Sequence, residues 1–342
     1  MPQLNASFIA FLANLDVPAN ILEAITRSQT AVQGRLAEEL EAFSMTAAGG
    51  KTRITPRFFV QGSWAYKTLN FPIPPQQMDV DLGIYLPHSY MEDQRPSIAA
   101  IDFFSKVDSV LSDLAQENAW AIDRSKDTCA RILLDDLTHF DVPLYSIPDE
   151  DFKTLATITQ SRCQPKELGD GGSKVTGDHQ DVWSDLPTER VLLALRSGAW
   201  HPSDPRRIER WFSKEVSAKG EQFRRCCRYL KAWRDHLWRT GGPSSIFLMV
   251  VAAKTFSPSP DRDDLAFLEL LRKLPAALKS LVTLPNDSGD DLLEMQKPED
   301  LVRLANEAGL FYQDLSAAIQ SHDLVRSHRS VARHLGPRFD LP

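Results

Sequence analysis

The amino-acid sequence predicts an α+β chain, with a mixed sheet in its first half and helices in its second. Three observations predict it. Residues 78–87, MDVDLGIYLP, alternate side-chain character with the period of a strand. Residues 19–44 place Leu22, Ile25, Val32, Leu36, Leu40 and Phe43 at three- and four-residue spacing, the period of a helix. Strand-like segments come early in the chain and helical ones late. We divide the chain accordingly into residues 1–198, with a long N-terminal helix, and residues 199–342.

The elements follow in order. The helix over 19–44 is broken by the glycines and proline of TAAGGKTRITP. A short apolar run, Arg57 to Gln61, reads as a strand ending at the turn Gly62-Ser63. On the next strand Met78, Val80, Leu82, Ile84 and Leu86 face one way; Asp79, Asp81, Gly83 and Tyr85 face the other. Residues 130–134 and 139–147 form two more strands around the turn Asp135 to Thr138. Residues 160–187 are rich in Gly, Asp and Ser and read as a long loop or lid. Helices are expected over 189–197, 205–217, 221–239 and 244–255, and again through the last eighty residues, with an acidic loop at 286–291.

Bulk properties narrow the function. The chain has 342 residues, 42% hydrophobic and 25% charged, ordinary for a globular protein. No stretch of eighteen apolar residues suggests a transmembrane helix, and the N-terminus lacks the basic start of a secretory signal, so the reading is a mature cytoplasmic protein. Four cysteines make no CxxC pair, which points to reduced thiols in the core. The net charge of −7 argues against a nucleic-acid coat protein. Residues 203–240 nevertheless hold eleven Lys or Arg against five acids, a local +6 that suits a compact polyanion such as a triphosphate as well as it suits a polymer.

The informative pattern is Gly62-Ser63 after a strand, Asp79-x-Asp81 on the next, and Asp141 on a later one. Two strand rises put Asp79 and Asp81 on one face, about 7 Å apart. With a third carboxylate, such a pair can hold two magnesium ions, which favour oxygen ligands and fill their shells with phosphates. Two ions stabilise the attacking and leaving oxygens of an in-line displacement at phosphorus. A glycine lets the backbone approach a phosphate, which amides and the Ser63 hydroxyl can cradle. A D-x-D pair alone is most often a solvated strand face, and only the combination in this order carries the reading.

The segments QGSWAYKTLN, MDVDLGIYLP, HFDVPLY, HPSDPRRIERWF, RYLKAWRD and GGPSSI resemble the bacterial dinucleotide cyclases of the CD-NTase family, from about residue 20 to residue 255 and more faintly beyond. The resemblance implies a polymerase-β-like nucleotidyltransferase core joined to a helical lobe, with the active site in the cleft between them. It also implies that two nucleoside triphosphates, ATP and/or GTP, are joined and cyclised with release of pyrophosphate. The expected product is a second messenger in antiphage defence (CBASS), read by a downstream effector, with regulatory partners encoded in the same operon. The expected cofactors are two Mg2+ ions, with Mn2+ as a possible substitute; no membrane and no nucleic-acid polymer is required.

The resemblance assigns Asp79, Asp81 and Asp141 to the metals and to catalysis. Gln61, Gly62 and Ser63 match the donor-phosphate motif. Lys231 in KAWR and Ser245 in PSS match residues on the triphosphate. Tyr66 matches a position against a base, and Ser203 and Asp204 match residues near a base edge. Bland readings stand beside these: Lys231 as a surface lysine, Ser245 as a helix cap, Tyr66 as core, and Asp204 as a helix-start acid before Pro205. Arg131 is read as a phosphate or base contact or a solvated arginine, and His139 as structural. A template-independent RNA nucleotidyltransferase shares the three aspartates. So does an antibiotic-modifying or toxin-like enzyme, usually on a shorter chain. A non-catalytic nucleotide sensor is the remaining alternative.

Overall fold

The computed structural model describes residues 4–47, 55–90, 95–153, 190–285 and 291–339. The expected loop at 160–187 and nearly all of the one at 286–291 lie outside them. The chain forms two compact units, each discontinuous in sequence: Met1–Leu22, Ser63–Met78 and Trp211–Pro342 make one, Glu23–Gly62 and Asp79–Arg210 the other. The sequence division at residue 198 is, by contrast, a single cut.

The second unit carries an eight-stranded sheet: β1 (Arg57–Gln61), β2 (Met78–Pro87), β3 (Ala121–Asp123), β4 (Ala130–Leu133), β5 (Thr138–Val142), β6 (Leu144–Ile147), β7 (Leu192–Ala194) and β8 (Trp200–Pro202). Its order is β3-β4-β5-β2-β6-β7-β8, with β1 pairing onto β2. The sheet is mixed, because β2 runs antiparallel to β1, Gln61 opposite Asp81, but parallel to β6, Ile84 opposite Leu144. The alternation of β2 is borne out at its start, where Met78, Val80 and Leu82 are buried, Asp79 is exposed and Asp81 is partly exposed. Pro143 splits the expected strand 139–147 into β5 and β6, since it has no N–H for the ladder.

The expected helix over 189–197 is instead strand β7. The run Val191 to Leu195 is too short for its period to separate helix from strand. Pairing decides: Leu193 lies opposite Tyr145 of β6 and His201 of β8. Gly198, at φ +94°, turns the chain between β7 and β8.

The sheet unit also holds α4 (Pro96–Asn118), which the sequence reading missed. It buries Ala99, Phe103, Val107, Val110, Leu111 and Leu114 on one stripe and packs against β3 and β4. Most of α2 (Ala19–Ala47) belongs here, with Ile25, Val32, Leu36 and Leu40 buried as its spacing predicts.

The other unit contains α1 (Asn5–Asn14), the single turn α3 (Gly62–Ala65, of which Gly62 falls in the sheet unit), most of α5 (Pro205–Lys219), α6 (Glu221–Leu237), α7 (Ser245–Thr255), α8 (Asp263–Ala277), α9 (Pro298–Gln320) and α10 (Leu324–Leu335). Helix α6 is its spine, burying Phe223, Cys226, Cys227, Tyr229, Leu230 and Trp233. Both thiols are pushed upward by burial, as expected of core cysteines. Phe8 and Phe11 of α1 meet Tyr229 and Phe339 at centroid distances of 5.2–5.9 Å. An 18-residue window within Asn5–Leu40 reaches a mean hydropathy of 1.5, which passes a length-and-composition test for a membrane span. The segment is, however, two helices separated at Leu15–Pro18, and Phe8 and Phe11 are buried in this aromatic core.

Candidate active site

Sheet order assembles the carboxylates. Asp79 and Asp81 are two residues apart on β2, so they share a face, and β5 is the neighbouring strand that brings Asp141. One donor atom from each of Asp79, His139 and Asp141 lies within 4.8 Å of the others. Asp81 lies two residues further along β2: burial, then the charges of Asp141 and Asp79, push its carboxyl up to about 7. A carboxyl raised this way is short of positive charge. With all-oxygen donors on one sheet face, these three aspartates fit a divalent cation.

Gly62 is shaped by this cluster. It sits at φ +64°, and a Cβ there would overlap Oδ2 of Asp81. The glycine read as a phosphate approach is therefore also the room for the Asp81 carboxylate. Gln61 is placed otherwise than on a phosphate. It is buried, its Nε2 donating to Tyr85 Oη at 2.5 Å and its Oε1 accepting from Tyr145 Oη at 3.2 Å. The two tyrosine rings stack at 4.7 Å, so Gln61 anchors the end of β1 to the sheet.

In the helical unit, Ser63 and Lys231 are brought together. Lys231 is buried on α6, and its Nζ donates to Ser63 Oγ at 2.9 Å and to the Thr68 carbonyl at 2.7 Å. This settles against a surface lysine. Ser244, not Ser245, caps α7 by accepting from the Phe247 amide, and this leaves Ser245 on the first turn. Ser245 Oγ accepts a long 3.4 Å contact from Arg234. The basic stripe is less open than its charge suggests: Arg206, Lys219, Arg224, Arg225, Arg228 and Arg234 each meet a carboxylate.

The three base-contact expectations fare differently. Tyr66 is half-buried against Phe212, with ring centroids 5.8 Å apart, as a core aromatic would be. Ser203 is half-buried and donates its amide to the Val191 carbonyl. Asp204 is buried; both its oxygens are taken by the Arg206 side chain, and Oδ1 also accepts the Arg206 amide at 2.9 Å. The carboxylate thus starts α5 and closes a buried ion pair, and no oxygen is left over for a base edge.

Two residues read in general terms from the sequence stand beside these carboxylates. Arg131 lies opposite Asp141 across the β4–β5 ladder and binds both its oxygens, at 2.5 and 2.6 Å. It is neither solvated nor spare. His139, read as structural, turns its Nε2 onto Asp79. The signal was the strand period: His139 and Asp141 are two apart on β5 and share a face.

Comparison with known proteins shows what the chain is similar to. Residues 56–145 match the family described as the cyclic GMP-AMP synthase DncV-like nucleotidyltransferase domain, and residues 220–340 the cyclic GMP-AMP synthase C-terminal domain. The chain is 36% identical over 305 residues to a cyclic GMP-AMP synthase of Escherichia coli, covering 84% of this chain and 68% of that protein. It is 37% identical over 250 residues to one from Vibrio cholerae, covering 70% of this chain but only 56% of the relative. The fold is shared with the Vibrio cholerae DncV cyclic AMP-GMP synthase solved with the linear intermediate 5′ pppA(3′,5′)pG, at TM-score 0.78, 23% identity, and 96% and 93% of the two chains. It is also shared with Escherichia coli DncV in its 3′-deoxy GTP bound form, at TM-score 0.74, 24% identity, and 96% and 94% coverage.

Proposed function

Because this chain belongs to the DncV-like cyclic GMP-AMP synthase family of nucleotidyltransferases, we propose that it joins two nucleoside triphosphates, ATP and/or GTP, into a cyclic dinucleotide and releases pyrophosphate at each bond. The observation that supports this reading is that donor atoms of Asp79 and Asp141 lie within 4.8 Å of each other, with Asp81 two residues along β2 from Asp79 and β5 the strand beside it. Those three side chains would hold divalent metal, Mg2+ in the first instance and two ions in number. When bound, the metal supplies positive charge at the phosphorus and at the leaving pyrophosphate.

The chain's own residues do the rest. Asp141, fixed in one orientation by Arg131, orients the ribose hydroxyl that attacks the α-phosphorus. The Lys231 ammonium and the Ser63 hydroxyl, already in contact, bind terminal phosphate oxygens, with Ser245 at the α7 N-terminus beside them in role. Gly62 leaves the space that keeps Asp81 in place. The same reading makes the product a cytoplasmic second messenger of antiphage defence, sensed by an effector and tuned by partners from the same operon.

The test is incubation of the protein with the four ribonucleoside triphosphates and Mg2+, followed by mass spectrometry of phosphatase-treated products. A phosphatase-resistant cyclic dinucleotide is expected. A linear polymer, or no product at all under conditions where the protein is folded, would overturn the reading.

A further inference from the structure

The carboxylates share their site with an imidazole. His139 is 3% exposed, and β5 directs it to the same side as Asp141. Its Nε2 contacts Oδ1 of Asp79 and lies 3.9 Å from Oδ1 of Asp141. The 4.8 Å span of these three donor atoms is close to the roughly 4 Å width of a coordination shell with bonds of about 2.0–2.1 Å. Arg131 does not exhaust Asp141, because a carboxylate offers about four lone-pair sites and the guanidinium takes two of them.

We propose that His139 is a nitrogen ligand of the cation held by Asp79 and Asp141, and that it gives this site a preference for Mn2+ over Mg2+. The inference rests on the reading that these carboxylates seat a divalent ion. Mg2+ is a hard ion that keeps to oxygen ligands and water. Mn2+ and the later first-row ions accept imidazole, and a mixed nitrogen–oxygen site binds them more tightly. A site of carboxylates alone has no such reason to discriminate.

Two measurements on nucleotide-free protein test this. The first is 15N NMR of histidine-labelled wild-type protein titrated with Zn2+, a diamagnetic probe. The His139 Nε2 resonance should take the large shift of a metal-bound nitrogen. The second is calorimetric affinity for Mn2+ and Mg2+ in wild type and in His139→Gln. Wild type should favour Mn2+ by about tenfold or more, and the substitution should remove most of that ratio while leaving Mg2+ affinity within about threefold. An unmoved His139 resonance with both ions still bound would overturn the proposal alone, since a histidine that only orients Asp79 would behave so. Failure of the wild type to bind either ion would overturn the proposal together with the carboxylate reading. The NMR experiment needs no variant, so a misfolded His139→Gln protein would not blunt the test.

Discussion

The Asp81 carboxylate occupies the place where a side chain at Gly62 would begin. Strand β1 ends at Gln61, opposite Asp81, and the chain turns away at once with φ +64°. Gly62→Ala therefore pays twice, about 1 kcal/mol for a left-handed backbone and more for moving Asp81. Pyrophosphate release should fall by at least about a hundredfold, a loss of the size expected when a catalytic group is misplaced by about an ångström. Circular dichroism should show the fold retained. Near-normal turnover in this variant would mean that the Asp81 position is not needed.

The buried contact between Lys231 and Ser63 makes a graded prediction. Lys231→Met keeps the length of the side chain and removes its charge. Losing a charge-assisted hydrogen bond of about 1.5–3 kcal/mol should lower kcat/KM by about 10- to 150-fold. Ser63→Ala should cost less, because Lys231 keeps the Thr68 carbonyl. Steady-state kinetics with varied triphosphate would check the order of the two effects.

Asp204 and Arg206 predict the opposite kind of outcome. Their side chains are 1% and 3% exposed, and Arg206→Leu leaves a buried carboxylate unpaired, at a cost of about 3–5 kcal/mol. The melting temperature should drop by on the order of ten degrees. Asp204→Asn should leave the ratio of ATP to GTP consumption unaltered. A shifted ratio would restore the base-edge role that its place in the sequence suggested.

Asp81 links stability to pH. Its carboxyl titrates at about 7 when folded, against a reference of 3.8. The folded chain thus holds this proton more tightly than the unfolded one, and the stability it contributes is lost as pH rises from 3.8 through 7. Without divalent ions, Asp81→Asn should melt above the wild type at pH 8 by a few degrees, with the gap closing toward pH 4. Added Mg2+ should stabilise the wild type more at pH 8 than at pH 6, because the carboxylate must be ionised to bind it. Differential scanning fluorimetry across this range measures both.

How much of this was legible can be traced residue by residue. The β2 alternation and the α2 spacing are local periodicities, so Asp79, Asp81 and the buried face of α2 could be read directly. Asp141 could be read because it lies on a recognisable strand. What escaped was set by partners distant in sequence. β7 is a strand only because β6 and β8 flank it. Gln61 is an anchor only because Tyr85 and Tyr145 sit on β2 and β6. The Arg131 pairing depends on the hairpin register. The placement of His139 was legible as well, since the same period-two rule that paired Asp79 with Asp81 also pairs it with Asp141.

The contact of Phe8 and Phe11 with Tyr229 and Phe339 has a consequence for biosynthesis. Helix α1 precedes the sheet unit in the chain, yet the helices it packs against are translated only after that unit. The sheet unit can fold on the way, whereas α1 must wait, with its aromatic face exposed, for Tyr229 and Phe339. Early termination of translation would thus leave a finished sheet tethered to an apolar helix without its partners, a species suited to capture by chaperones.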